Sequence, residues 1–412
     1  MADSIRFRPR RGPRRAAALL SPGGAAAGQI ALERGAGARL ARLRAAAADR
    51  VRQRRAPTRP VMRALVATAP GRLAWRDVPA PAPPGPGAAV VRPIAVATCD
   101  MDRPLVLGAT PFPLPLALGH ECVAEVLTVG DGVRTVRQGQ RVVVPFQISC
   151  GECVACRAGW TSNCRAVPPI SMYGFGVGGG HWGGTLADQL AVPFADAMLV
   201  PLPDGIDPVA AASVADTVCD GYRHAGAHLP GLLARDPDTE VLIVAGLDRR
   251  PIFSASVPLY CGSAALALGA RRVRLVDSRA HVRRAAEGLG IEALDPKALR
   301  RLRPAALVVA ASASPEGMWA ALNKTAPDGV CSSVGGLHRV GRVPLARLYG
   351  RNASFHVGRT NARALIPEVL ELMASGRFHP ELVISAEGSL DDAPRLLDAH
   401  YRTADIKTIL RA

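Results

Sequence analysis

The chain has 412 residues, 49% of them hydrophobic, and a formal net charge of +17. That length supports two or three self-sufficient cores; the longest apolar runs, such as Ala305–Ala311, fall far short of the ~20 residues of a membrane helix, so no membrane partner is expected. The charge is not spread over the molecule: residues 1–60 hold fifteen Arg, no Lys and three acids, accounting for +12 and leaving the body nearly balanced.

Residues 1–61 are rich in Arg and Ala, broken by Pro and Gly, and almost free of large apolar side chains. Such a stretch cannot bury enough surface to offset ordering, and a disordered extension is expected. Without interleaved aromatic residues its charge would give only salt-sensitive, nonspecific attraction, so no specific nucleic-acid partner is expected. Folded sequence is expected to begin at Met62-Arg-Ala-Leu-Val.

From 62 to 218 the pattern is β-rich: short runs such as Ala89–Val96, Cys122–Val129 and Gln140–Val144 stand between Gly/Pro turns. Pro79–Pro86, with five prolines in eight residues, reads as an extended loop. Cys99 follows the first of these runs, and Gly119-His120-Glu121 enters the second. With an acid such as Asp216, this Cys/His/carboxylate set would make an open zinc site whose fourth position stays free. Residues 150–164 carry a stronger signal. Cys150, Cys153, Cys156 and Cys164 recur as C-x2-C-x2-C-x7-C, a spacing that suits one tetrahedral zinc held by four thiolates. Disulfides would need an oxidising compartment, whereas this long chain shows no apolar signal segment, so the cytoplasm is expected.

From 219 to 354 the character changes. Glu240–Val244, Val273–Val276, Ala306–Ala310 and Val330–Val334 are unbroken apolar strands with helical segments between them, the pattern of a parallel sheet covered on both faces. Residues 355–412 predict a helix over Ala362–Ala374 ended by Gly376, a strand at Leu382–Ile384, a helix near Leu390–Tyr401 and a final strand, Ile406–Leu410.

The order Cys99-x-x-Asp102, then Gly-His-Glu, then four cysteines, then a strand, helix and acid resembles the zinc-dependent alcohol dehydrogenases of the medium-chain dehydrogenase/reductase family, closest to the formaldehyde dehydrogenase-like branch. The resemblance spans about residues 62–412 and implies an α/β protein. It would comprise a GroES-like β-rich catalytic domain, a Rossmann-type doubly wound parallel sheet domain over 219–354, and a C-terminal segment that returns to the catalytic domain. It implies that Cys99 and His120 bind a catalytic zinc with Asp216 as third ligand, Cys219 and Asp220 being its rivals. Asp102 would bond the free nitrogen of His120, and Glu121 would lie behind the metal as an occasional ligand. The implied activity is hydride transfer between NAD(H) and an alcohol/aldehyde or ketone pair, in a homodimer or homotetramer, with two zincs per chain. Where relatives place Ser or Thr as a proton relay, this chain has Met101, which cannot relay a proton.

The cofactor half departs further. After the strand ending at Val244, the expected G-x-G-x-x-G is replaced by a longer loop with Gly246 alone, and Pro258 stands where the last glycine belongs. Arg249 and Arg250 could pair with a diphosphate instead. Asp277, nineteen residues beyond Pro258, is placed to bind a ribose diol and so to favour NAD over NADP, with Arg279 opposing that preference. Gly335 and Gly336 match where the family lines the nicotinamide pocket. The altered loop and Met101 also admit an alternative, a zinc-stabilised protein that has lost its cofactor and serves as a binding protein.

Overall fold

A computed structural model describes residues 60–110, 112–247, 253–334, 342–402 and 405–412. The basic extension therefore lies outside the described residues, apart from Pro60 and Val61, as do Arg249, Arg250, Gly335 and Gly336.

Eight strands come first: β1 (Val61–Ala69), β2 (Arg72–Pro79), β3 (Ala89–Ala97), β4 (Leu116–Ala117), β5 (Glu121–Val129), β6 (Arg141–Val144), β7 (Leu190–Val192) and β8 (Val200–Pro201). They form a three-stranded sheet, β2-β1-β4, and most of a larger antiparallel one in which β3 pairs with β5, β5 with β6 and β6 with β8. The alternation of β-branched residues with small ones fills the space between them: Val91, Val96, Val123, Val126 and Val143 are all fully buried.

A third sheet holds β9 (Glu240–Val244), β10 (Arg272–Val276), β11 (Glu292–Leu294), β12 (Ala305–Ala310), β13 (Thr325–Val334) and β14 (Ser354–Gly358), in the order β11-β10-β9-β12-β13-β14 with every pair parallel. Val241, Leu242, Ile243 and Val244 are buried without alternation because helices cover both faces. One of these, Ser256–Ala267, leaves β9 and crosses to β10, keeping Pro258 in its first turn, where a missing N–H is harmless. The reversal of strand order about β9 and β12 is the two-halved arrangement of Rossmann-type sheets.

The chain then returns. Helix Ala362–Ala374 buries Ala362, Ile366, Val369, Leu370 and Met373 along one stripe and stops before Gly376, whose φ is 68°. β15 (Ala386–Ser389) and β16 (Thr408–Arg411) complete the larger sheet, β16 antiparallel to β3 and β15 parallel to β16. The strand expected at Leu382–Ile384 does not form: Pro380–Val383 is a 3-10 turn begun by its proline, Leu382 faces solvent, and the strand starts at Ala386. The two-domain α/β architecture is thus a parallel sheet inserted between β8 and β15, and the path from β3 to β5 faces it.

Candidate metal centre and its surroundings

Two groups of ligating side chains stand out among the described residues. The thiols of Cys150, Cys153, Cys156 and Cys164 lie within 4.8 Å of one another, and all nine cysteines of the chain are free. Backbone amides aim at this sulfur cluster: Cys150 N donates to Cys164 Sγ, Cys153 N to Cys150 Sγ and Arg165 N to Cys153 Sγ, each at 3.4 Å. The amides of Arg165 and Cys156 bring the Cys153 thiol down to about 6, while burial pushes Cys156 up to about 12. Four soft donors sharing one centre fit a single tetrahedral zinc.

The second group is Cys99, His120, Glu121 and Asp216, all buried, again with ligand atoms within 4.8 Å of one another. Cys99 sits just past the end of β3, and His120 immediately precedes β5. Gly119 makes that entry possible: its φ is +87°, and a Cβ there would come 2.6 Å from Thr185 Oγ1 and 2.7 Å from Leu186 N. Asp216 stands between the 3-10 turn Ala212–Ala215 and the helix Thr217–Gly226. One Asp216 oxygen, Oδ2, lies 3.5 Å from Cys99 Sγ and 3.5 Å from His120 Nε2. The rivals for its place are elsewhere engaged: Asp220 pairs with Arg223 at 2.6 Å, and Cys219 is fully buried in the apolar core.

Asp102 Oδ2 accepts from Cys99 N at 2.8 Å, and its Oδ1 lies 3.7 Å from His120 Nδ1, a charge contact longer than the expected hydrogen bond. Both nitrogens of His120, with Asp102 Oδ1 and Glu121 Oε1, are buried without a hydrogen-bond partner. Buried orphans are rare in folded proteins, and an orphaned His120 Nε2 beside Cys99 Sγ and the Asp216 carboxylate fits a divalent cation. Burial opposes charging of His120, yet Asp216, Asp102 and Glu121 hold its pKa above the ordinary value; burial and the same acids push Cys99 up strongly. The rings of Phe175 and Phe146 stand 5.0 and 6.0 Å from the His120 ring and wall it from water.

Sequence reasoning missed Lys407. Its Nζ donates to Glu121 Oε2 at 2.8 Å, to Thr217 Oγ1 at 2.7 Å and to the carbonyl of Thr98, so one Glu121 oxygen is held by a cation while Oε1 stays unpartnered in the ligand cluster. A signal was available: Lys407 is one of three lysines in an Arg-dominated chain and interrupts an apolar strand pattern.

In the dinucleotide half, several of the described groups expected to meet a cofactor are already engaged. Gly246 follows β9, and a Cβ there would meet Asp277 Oδ1 at 2.3 Å. Asp277 is fully buried, but both its oxygens are held by Arg279, Nε at 2.9 Å and Nη2 at 2.7 Å, with Arg279 Nη1 on the Phe253 carbonyl. The free carboxylate expected for a ribose is therefore capped by its own neighbour. The first amides of helix Ser256–Ala267 are likewise taken, by Asp100.

A GroES-like pair of mainly antiparallel sheets carrying a four-thiol cluster and a mixed one, joined to a Rossmann-type sheet, defines a zinc-dependent medium-chain dehydrogenase. The model for the alcohol dehydrogenase GroES-like domain matches residues 85–204, which contain Cys99, His120 and all four lobe cysteines. A protein of Mycobacterium tuberculosis described as a probable zinc-binding alcohol dehydrogenase is 30% identical over 342 residues, 81% of this chain and 84% of that one. The glutathione-independent formaldehyde dehydrogenase of Pseudomonas aeruginosa is 34% identical over 151 residues, 34% of this chain and 38% of that one. Among solved structures, the alcohol dehydrogenase TADH from Thermus sp. ATN1 superposes with a TM-score of 0.75 at 30% identity, covering 85% of this chain and 99% of that chain. The chain belongs to the zinc-type alcohol dehydrogenase family.

Proposed function

We propose that this protein is a zinc-dependent oxidoreductase that moves a hydride between a nicotinamide dinucleotide and an alcohol paired with its aldehyde or ketone. The observation that carries the reading is the convergence of Cys99 Sγ and His120 Nε2 on one Asp216 oxygen, each at 3.5 Å, in a buried place. Two anionic donors and one neutral one balance the formal charge of a divalent cation and leave a fourth position in which it still polarises a substrate oxygen. A zinc held there supplies Lewis-acid polarisation of the substrate oxygen. Cys150, Cys153, Cys156 and Cys164 would hold a second zinc that supplies stability, giving two per chain.

The chain's own residues do the rest. Asp102 orients His120 through its Nδ1 side. Glu121, neutralised by Lys407, forms the floor, and Phe146 and Phe175 exclude water. Met101 has no hydroxyl and Asp100 faces Ser254 and Ser256, so water carries the proton out. Asp277 supports NAD over NADP once its pair with Arg279 opens. The exposed edge strand β14, with Val357 65% exposed, supports a homodimer or homotetramer. Nine unpaired cysteines support the cytoplasm as its compartment. A cofactor-free binding protein is not favoured, because relatives matched over most of the chain are named dehydrogenases.

Zinc content, titration with NADH and with NADPH by fluorescence transfer from tryptophan, and a screen of alcohols and aldehydes test the proposal together. Two zincs, saturable binding of one dinucleotide and turnover are expected. Two zincs with neither binding nor turnover would overturn it.

A further inference from the structure

The N-terminus of helix Ser256–Ala267 is where a Rossmann-type sheet receives the diphosphate of a dinucleotide, because unpaired amides and the helix dipole converge there on negative charge. In this chain an anion from the other domain already fills that place. Asp100 Oδ1 accepts from Ser256 Oγ at 2.6 Å, from Ser256 N at 3.3 Å and from Ser254 Oγ, and its Oδ2 accepts from Val257 N at 3.4 Å. The residue is 154 to 157 positions away from these partners and directly follows Cys99, a member of the metal cluster. A carboxylate and a diphosphate cannot share two amides and two hydroxyls, since like charges at that separation repel strongly.

We infer that Asp100 is a built-in competitor of the dinucleotide diphosphate, an interdomain latch that must leave the helix N-terminus before the cofactor can seat, moving the segment Cys99–Asp102 beside the metal as it goes. The inference rests on the proposed dinucleotide-dependent activity. It makes Asp100 a residue that sets cofactor affinity and couples cofactor entry to the metal centre. It also accounts for the engagement of the described donors at the helix N-terminus, which the chain itself occupies.

The test is equilibrium binding of NADH, NADPH, ADP-ribose and adenosine to the zinc-loaded wild type and to Asp100→Asn and Asp100→Ala, by fluorescence and calorimetry at fixed salt. Asn keeps an oxygen acceptor for the helix and removes the charge; Ala removes both. The expected result is binding of ADP-ribose and of the preferred dinucleotide about tenfold tighter in Asp100→Asn than in wild type, as expected for removal of a like charge at a helix N-terminus, with adenosine, which lacks phosphate, unchanged. Equal or weaker binding of the phosphate-bearing ligands in both variants would overturn the competitor role. A gain that adenosine shares equally would also overturn it, because it would mark general loosening of the cleft. If none of the three proteins binds any dinucleotide, the reading on which the inference rests fails with it.

Discussion

Lys407 Nζ lies 2.8 Å from Glu121 Oε2, both side chains are completely buried, and 286 positions of sequence separate them. Burial pushes the Glu121 carboxyl up to about 8, against the pull of Lys407, while Glu121 holds Lys407 above its ordinary value despite burial. Removing one partner strands a buried charge or an orphaned acid. Lys407→Met is therefore expected to lower stability by about 3–5 kcal/mol, and Lys407→Met with Glu121→Gln to recover much of the loss. Urea unfolding of the two single variants and the double variant measures this; additive losses would show that the pair is not coupled.

Asp216 and Asp220 lie on neighbouring turns, but only Asp216 reaches Cys99 and His120. Asp216→Asn should cut zinc from two to about one per chain and lower kcat/KM by about a hundredfold or more. Asp220→Asn should keep both zincs. Metal analysis by mass spectrometry decides between the two, and equal metal loss in both would contradict the assignment.

The lobe is tied to the rest of the chain by Ser162, whose N donates to Asn361 Oδ1 at 3.0 Å and whose carbonyl accepts from Arg359 Nη2 at 2.6 Å. Cys153→Ser should release one zinc while leaving the ligands at Cys99 and His120 in place. Stability should fall by at least about 3 kcal/mol, the contribution of a ligand present at a hundredfold its Kd. Thermal unfolding followed with and without added zinc checks it: a melting point independent of zinc in the wild type would contradict a structural role.

His224 is buried with Nδ1 2.7 Å from Ser332 Oγ, and burial, with Arg223 and His228 nearby, holds its pKa well below the ordinary 6.5. Above pH 6.5 the ring is neutral in both folded and unfolded chains. Below it the unfolded chain takes up a proton that the native state refuses, so stability is lost as pH falls from 6.5 toward the depressed native value. His224→Gln should make that slope shallower by up to about 1.4 kcal/mol per pH unit, with a residual slope from His228, His281 and His400, which are depressed as well. Urea midpoints at several pH values between 5 and 8 measure the difference.

The sequence by itself determined whatever depends on local spacing. Four thiols over fifteen residues needed no distant partner to point at one centre, and they do. Gly119-His120-Glu121 fixed a turn and the start of β5, and unbroken apolar runs fixed the buried strands β9, β10 and β12, because periodicity records which faces are covered. The same logic misplaced the strand near Leu382, where a proline turn outweighed an apolar triplet. The tertiary structure decided which distant groups meet. The chain's return along β16 brings Lys407 under Glu121, the facing of the two domains sets Asp100 on the helix after β9, and the packing of Gly246 against Asp277 leaves that acid to Arg279 rather than to solvent. Periodicity encodes a residue's face but not its partner. The charge that neutralises a buried acid is chosen by how the chain folds back over hundreds of residues, and only the folded structure records that choice.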